Sequence, residues 1–308
     1  MNPAPTFSVI INCLNAEKYL REAIDSVYAQ TFSDWEIILW DNCSTDCTAE
    51  IAQEYDQRLK YFRGENTIPL GAARNRAIEK SKGIFIAFLD SDDWWYENKL
   101  EKCLKAFTDE NIGLVFSNCF NFYSNGKSKP LYLDCWNPPK GKVFWQLIEK
   151  YFINFQSVVL RRKILTRMDH WFDESFEVAE DLDFLLRFSL LADAKGLSDK
   201  LCSYRIHANS TTWNKSSFFI KEKLRILEKL TNSKILTPYK AKEIEPTFLS
   251  SSYKTHGLAC AYQGDRFGAI KSLILIKKKD YKIYIILMML IFLPYFILKQ
   301  VINRHFFT

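Results

Sequence analysis

Four short apolar runs, each closed by polar residues and separated by stretches of helical period, occupy the first ninety residues and fix the fold class. Residues 7–11, with Val9, Ile10 and Ile11, read as a strand buried on both faces. After it Tyr19, Leu20, Ala23, Ile24, Val27 and Tyr28 keep helical spacing, and Asn15 is the expected N-cap of a helix reaching about Gln30. Residues 35–40 form a second strand. Then come a helix over about 48–55, a strand at 59–62, a helix at 71–80 and a strand at 84–89. Such a βαβαβαβ alternation demands an α/β fold, a mostly parallel sheet with helices on both faces. Ligands of these sheets sit outside the carboxyl ends of the strands, so the polar residues closing each strand are candidates for one shared site.

Beyond residue 95 the alternation loosens. A helix at 97–107 and a strand at 112–116 precede a polar, aromatic stretch to Pro139. Helices near 143–151 and 181–191 follow, then a strand ending in Tyr204-Arg205-Ile206-His207, and residues 216–275 read as helices with Lys and Arg on solvated faces. At 308 residues the chain has room for about two domains. Charge divides it in the same way. Residues 1–214 hold 25 Lys+Arg against 30 Asp+Glu, whereas 215–308 hold 17 against 6. We therefore expect an α/β domain over 1–214 and a basic helical region over 215–308.

A composition 48% apolar and 25% charged excludes disordered and collagen-like classes. The basic excess does not point to nucleic acid, because its lysines are interleaved with long aliphatic runs; an anionic membrane surface suits it better. The eight cysteines contain no CxxC pair and read as reduced thiols, and the lone Cys43–Cys47 spacing has no second pair to complete a metal site. No basic n-region precedes the first strand, so no secretory signal is expected.

Three constellations carry chemistry. Asp90, Asp92 and Asp93 stand within four residues at the end of a buried strand, where carboxylates repel unless a cation sits among them. Hard oxygen donors suit Mg²⁺ or Mn²⁺, and the bland alternative is a solvated acidic turn with Asp93 as a helix N-cap. Asp41 and Asp46 close an earlier strand at the same sheet edge, and Arg74 near the start of a helix can fork onto a base or phosphate. Glu180 and Asp181 open an apolar helix, either as dipole-favoured caps or with a carboxylate acting as general base toward a hydroxyl. His207 ends a strand, as a structural imidazole or an added metal ligand.

These residues together resemble the family 2 glycosyltransferases of the GT-A fold. The resemblance runs through Ser8 to Asn15, Ala29 to Ile37, Asp41-Asn42-Cys43-Ser44-Thr45-Asp46, Ala73-Arg74-Asn75, Phe88-Leu89-Asp90-Ser91-Asp92-Asp93, Glu180-Asp181 and Tyr204-Arg205-Ile206-His207, in the family's order over 7–210. It implies a nucleotide-sugar half over about 1–116 and an acceptor half over about 117–214. The nucleotide-sugar would meet Asn12, Asp41, Arg74 and Asp90; the metal, Mn²⁺ or Mg²⁺, would be held by Asp92, Asp90 and His207; Asp181 would be the base. Two motifs depart from the family pattern. Leu14 stands where the family stacks an aromatic ring on the base, and Asn42-Cys43 replaces Asp-Gly.

The implied reaction is transfer of a sugar from a UDP-sugar, with inversion, to a hydroxyl of a glycan acceptor. A lipid-diphosphate carrier fits, as in O-antigen or other bacterial polysaccharide repeat units. A nucleotidyltransferase of related fold would need a Gly-rich, basic loop after the first strand, which residues 12–17 lack; a non-catalytic sugar-nucleotide-binding module is the other alternative. Residues 283–298 carry no charge and are flanked by Lys277, Lys278, Lys279, Lys282, Lys299 and Arg304. A spanning helix needs about 20 apolar residues, and Pro294 interrupts this one. Over 281–298 a hairpin or tilted helix lying in the interface at the cytoplasmic face of the inner membrane is expected, rather than a span or a plain core helix.

Overall fold

Val, Ile and Phe dominate the runs that the chain places at the centre of a ten-stranded mixed sheet. The computed structural model describes residues 4–123, 125–206, 214–276 and 281–306. The opening elements are β1 (Phe7–Cys13), α1 (Leu20–Tyr28), β2 (Trp35–Asp41), α2 (Thr48–Gln53), β3 (Leu59–Arg63), α3 (Leu70–Lys80) and β4 (Phe85–Asp90). Next come β5 (Trp94–Trp95), α4 (Lys99–Ala106), β6 (Ile112–Tyr123), β7 (Ser128–Pro130), β8 (Lys140–Gly141) and α5 (Phe144–Glu149). A 3-10 turn (Phe155–Ser157) leads into β9 (Val159–Arg161), α6 (Arg162–Leu165), α7 (Glu180–Leu191) and β10 (Asp193–Ile206).

The sheet order is β3-β2-β1-β4-β9-β6-β10-β5, with β7 on β6 and β8 on β10. The first four strands are mutually parallel, and β9 enters antiparallel between β4 and β6. β1 is buried along its length except at Asn12, as expected of a strand covered by helices on both faces. One polar knot ties the amino ends of these strands. Ser8 donates to Glu36 (2.6 Å), and the amides of Lys82 and Gly83 close onto Glu36 and Ser8 at 2.7 Å each. A Cβ on Gly83 would lie 2.4 Å from the Ser8 nitrogen, so only glycine lets β4 start this close to β1.

Asn15 does not cap α1. Its backbone is left-handed (φ 51°), its amide donates to Ser44 Oγ (2.8 Å) and its Oδ1 accepts from the Thr45 amide (2.8 Å). The side chain is spent on stitching the loop after β1 to the loop after β2, and the helix begins five residues later, at Leu20.

The chain divides into two compact units. The first comprises Met1–Phe122, Ser128–Leu147 and Tyr151–Arg205, and holds the sheet. The second contains α8 (Ser216–Asn232), α9 (Pro238–Gln263), α10 (Arg266–Ile274), α11 (Tyr281–Phe292) and α12 (Tyr295–Phe306). Thr237 caps α9 by accepting from the Lys240 amide, and Gly264 ends it in the left-handed conformation (φ 90°). Pro294 splits the uncharged tail, whose inner residues Ile283, Leu290, Leu298 and Ile302 pack with Cys260, Ala269 and Leu273.

Candidate active site

Sheet register alone gathers three of the expected residues at one edge. Asn12 of β1 lies between Trp40 of β2 and Asp90 of β4, and Cys13 lies opposite Asp41. The Asn12 Nδ2 is buried and has no hydrogen-bond acceptor, an orphan donor at the carboxyl end of the sheet. Asp41 is fully buried and held on both oxygens. Its Oδ2 accepts from the Tyr61 hydroxyl (2.6 Å) and Arg63 (3.3 Å), and its Oδ1 from the Ser44 amide (2.7 Å). Burial and Asp41 push the Tyr61 phenol up to about 12. With Oδ2 accepting twice, Oδ1 is the oxygen that keeps a second lone pair, which a nucleobase N–H could use.

The Ala73-Arg74-Asn75 block works as a staple and a fork. Asn75 exchanges hydrogen bonds with the Phe172 backbone at 2.9 and 3.0 Å, fixing the segment that leads into α7. Gly71 permits the close approach of α3 to that segment: a Cβ there would meet the Asp173 carbonyl at 3.2 Å and Glu180 at 3.3 Å. Arg74, the next full side chain on that face, is buried. It donates to Glu180 Oε1 at 2.7 Å and to Asp90 Oδ1 at 3.3 Å, with its guanidinium 4.4 Å from the Phe155 ring centre. Burial works against its charge, but Glu180, Asp90 and Asp181 together hold it above its ordinary value.

Glu180 and Asp181 are not helix caps in the side-chain sense; Ala179 occupies the N-cap position. Glu180 faces Arg74. Asp181 accepts from the Tyr151 hydroxyl on Oδ2 (2.6 Å) and from the Leu182 amide on Oδ1 (2.6 Å). Burial pushes the Asp181 carboxyl up, against the hydrogen bond from Tyr151 and the charge of Arg74. Burial also raises Asp90, opposed by Arg74 and reinforced by Asp92 and Asp181.

The third carboxylate of the cluster has a different use. Asp93 is 1% exposed, and its Oδ1 accepts from the Arg205 amide (2.7 Å). Burial, followed by Asp92 and Asp90, pushes its carboxyl well up. Arg205 closes the turn further: its Nε donates to the Asp92 carbonyl (2.9 Å), another nitrogen reaches Glu22 (2.5 Å), and the guanidinium lies 4.3 Å from Tyr19 and 4.8 Å from Trp94. The cluster is thus neither a freely solvated turn nor a cap; α4 begins at Lys99, behind Asn98.

Asp90 and Asp92 remain as oxygen donors. Among the described residues no group of three or more His, Cys, Asp or Glu closes into a metal cage. Two carboxylates fit a cation of the Mg²⁺ or Mn²⁺ type, which takes one or two protein carboxylates together with substrate phosphate oxygens and water. His207 lies outside the described residues. The structure therefore brings Asn12, Arg74, Asp90 and Asp181 to one sheet edge, with Asp41 at the end of the neighbouring strand. Sequence reading missed Tyr61, Arg63 and Tyr151. No spacing rule exposes them, since each acts across the fold on a carboxylate far away in sequence.

Residues 8–168 match the Glycosyl transferase family 2 profile. TuaG of Bacillus subtilis (strain 168), named as a teichuronic acid biosynthesis glycosyltransferase, is 30% identical over 220 residues, covering 70% of this chain and 84% of that protein. The UDP-Glc:alpha-D-GlcNAc-diphosphoundecaprenol beta-1,3-glucosyltransferase WfgD of Escherichia coli is 31% identical over 213 residues, covering 68% and 80%. In fold, the chain is similar to S. aureus TarS 1-349 in complex with UDP-GlcNAc (TM-score 0.67, 20% identity, 97% of this chain and 90% of that one). It is also similar to the mannosyltransferase PcManGT from Pyrobaculum calidifontis in complex with GDP-Man and Mn2+ (TM-score 0.57, 14% identity, 98% and 85%). The α/β sheet is thus of the GT-A type, and the chain belongs to glycosyltransferase family 2.

Proposed function

We propose that this glycosyltransferase moves a hexose from a UDP-hexose, with inversion, to a hydroxyl of a glycan carried on undecaprenyl diphosphate. The step belongs to assembly of O-antigen or another surface polysaccharide at the cytoplasmic face of the inner membrane. One observation carries the transfer reading: Asp90 of β4 and Asp181 of α7, distant in sequence, share one electrostatic cluster around the buried Arg74 at the carboxyl edge of the sheet. The donor and acceptor named for WfgD support the choice of substrates.

Asn12, Asp41 and Arg74 bind the nucleotide, Asn12 through its unused amide donor. Asp90 and Asp92 hold the divalent cation, which when bound offsets the charge that builds on the departing diphosphate. Asp181 accepts the proton of the acceptor hydroxyl as its oxygen bonds to the anomeric carbon. The bond from that carbon to the diphosphate breaks with its electron pair leaving on UDP. One carboxylate doing base work suits a single displacement and hence inversion, whereas a double displacement would need a second, nucleophilic group.

Unit two supports the membrane reading. No helix among the described residues is long and apolar enough to cross a bilayer. Yet α11 carries no charge after Lys282, and Tyr284, Ile285, Met288, Ile291 and Phe292 on one side are exposed. From Arg266 to Thr308 the sequence holds eight Lys or Arg and one acidic residue, Asp280. Apolar side chains exposed within so basic a segment suit an anionic interface.

The test is incubation with a panel of UDP-hexoses and undecaprenyl-diphosphate-linked mono- and disaccharides, with products read by mass. Gain of one hexose from a UDP donor is expected. Transfer from GDP-sugars alone would overturn the donor, and transfer only to free, unlinked sugars would overturn the acceptor.

A further inference from the structure

We infer that Tyr151 is a positioning residue for this transferase, orienting the Asp181 carboxylate and keeping it ionised for proton abstraction. The inference rests on Asp181 being the base. The Tyr151 hydroxyl donates to Oδ2 at 2.6 Å, within the range of a charge-assisted O–H to carboxylate bond. The Leu182 amide holds Oδ1 at 2.6 Å, so the carboxylate is pinned on both oxygens and cannot rotate. Each oxygen retains a lone pair for the acceptor hydroxyl.

The side chains that act on the Asp181 carboxyl are Tyr151 and Arg74, and Asp90 feels its charge, so three different parts of the fold meet there. Arg74 is already engaged by Glu180 and Asp90, which leaves Tyr151 as a neutral donor dedicated to the base. Burial opposes charge on Asp181, and the phenol counters it. The phenol itself stays protonated, because burial and the neighbouring Asp181 push it well above its ordinary value. Tyr151 is thus a donor over the whole working pH range and not a competing acid. It follows α5, in a stretch whose sequence shows aromatic residues without a motif.

The experiment compares wild type, Tyr151→Phe and Asp181→Asn, following kcat and KM for sugar transfer from pH 5 to 9. Asp181→Asn should lose transfer while still binding UDP. Tyr151→Phe should move the acid limb of the kcat profile up by about one pH unit or more, the scale of a lost charge-assisted bond. Its donor KM should change little, and activity should recover at high pH. Replacing Tyr151 with 3,5-difluorotyrosine, a stronger donor of nearly the same shape, should move the limb down; it also serves if Tyr151→Phe folds poorly. An unshifted limb in both Tyr151 variants, or an equal loss at every pH, would overturn the positioning role while leaving Asp181 as base. Wild-type transfer by Asp181→Asn would instead overturn the base assignment itself.

Discussion

Neutralising Glu180 should unfasten the first unit, because Arg74 and Glu180 form an ion pair from which water is nearly absent. Their nitrogen and oxygen lie 2.7 Å apart and each side chain is 5% exposed. Removing one member of such a pair costs about 3–5 kcal/mol, since the other charge stays buried. In Glu180→Gln the guanidinium keeps Asp90 at 3.3 Å and the Phe155 ring at 4.4 Å, so we expect the lower end, about 3 kcal/mol. Arg74→Met strands Glu180 and the adjacent Asp181 without their cation and should cost about 4–5 kcal/mol. The double variant removes both charges and should cost less than the sum by about 2–3 kcal/mol. Each kilocalorie corresponds to roughly 2–4 °C in a domain of this size, so Glu180→Gln should melt about 6–12 °C early. Seven of the eight tryptophans lie in residues 4–205, so tryptophan fluorescence in a urea titration reports the unit that holds the pair. A Glu180→Gln loss below about 0.5 kcal/mol, with additive single and double variants, would show that the pair is screened by water and refute the reasoning.

Asp93→Asn should be nearly silent in stability and activity, because the amide oxygen still accepts from the Arg205 N–H. Asp93→Ala orphans that buried donor and should cost about 1–3 kcal/mol in the same urea titration. Glu36 supplies a pH signature. Burial raises its pKa, but Lys60, Ser8 and the Lys82 amide outweigh that and hold it below the ordinary 4.5. Its contribution is therefore full above 4.5 and lost as pH falls through the lower folded value. The stability gap between wild type and Glu36→Gln should be widest at neutral pH and shrink on acidification, as read by melting temperature against pH. Charged and neutral vesicles test the tail: co-sedimentation of the full chain with anionic vesicles should weaken in Ile291→Asp and at high salt. Equal pelleting with neutral vesicles would remove the basic residues from the account, and concentration-dependent dimerisation abolished by Ile291→Asp would assign the face to a second copy.

Periodicity carried the first ninety residues well because β1, β2 and β4 are buried on both faces and α1 has one apolar side, so local pattern and tertiary environment coincide there. The strand-end rule then located Asn12, Asp41 and Asp90, whose meeting depends only on parallel register. The reading failed where a polar side chain had a long-range partner. Asn15 looked like a cap and is a loop stitch to Ser44 and Thr45. Strand β9, three residues long and inserted between β4 and β6, carries no length of pattern to detect. Glu180 and Asp181 are neighbours in sequence, but only the fold separates them, one toward Arg74 and the other toward Tyr151. Asp93 is indistinguishable from Asp90 and Asp92 by type, and its burial under Arg205 alone takes it out of the donor set.

The most direct test is sugar transfer by metal-stripped protein, wild type against Asp92→Asn, titrated with Mn²⁺ and Mg²⁺. Asp92 lies in the turn two residues past the end of β4, and its substitution leaves the Arg74 contacts and the Asp93–Arg205 bond in place. Stripping with EDTA should abolish wild-type transfer, and either cation should restore it. Asp92→Asn, folded and melting like wild type, should stay at least about 100-fold slower at saturating cation, the scale of losing one charged contact to the group that stabilises the leaving diphosphate. Full wild-type transfer in EDTA, together with undiminished turnover in Asp92→Asn, would contradict it.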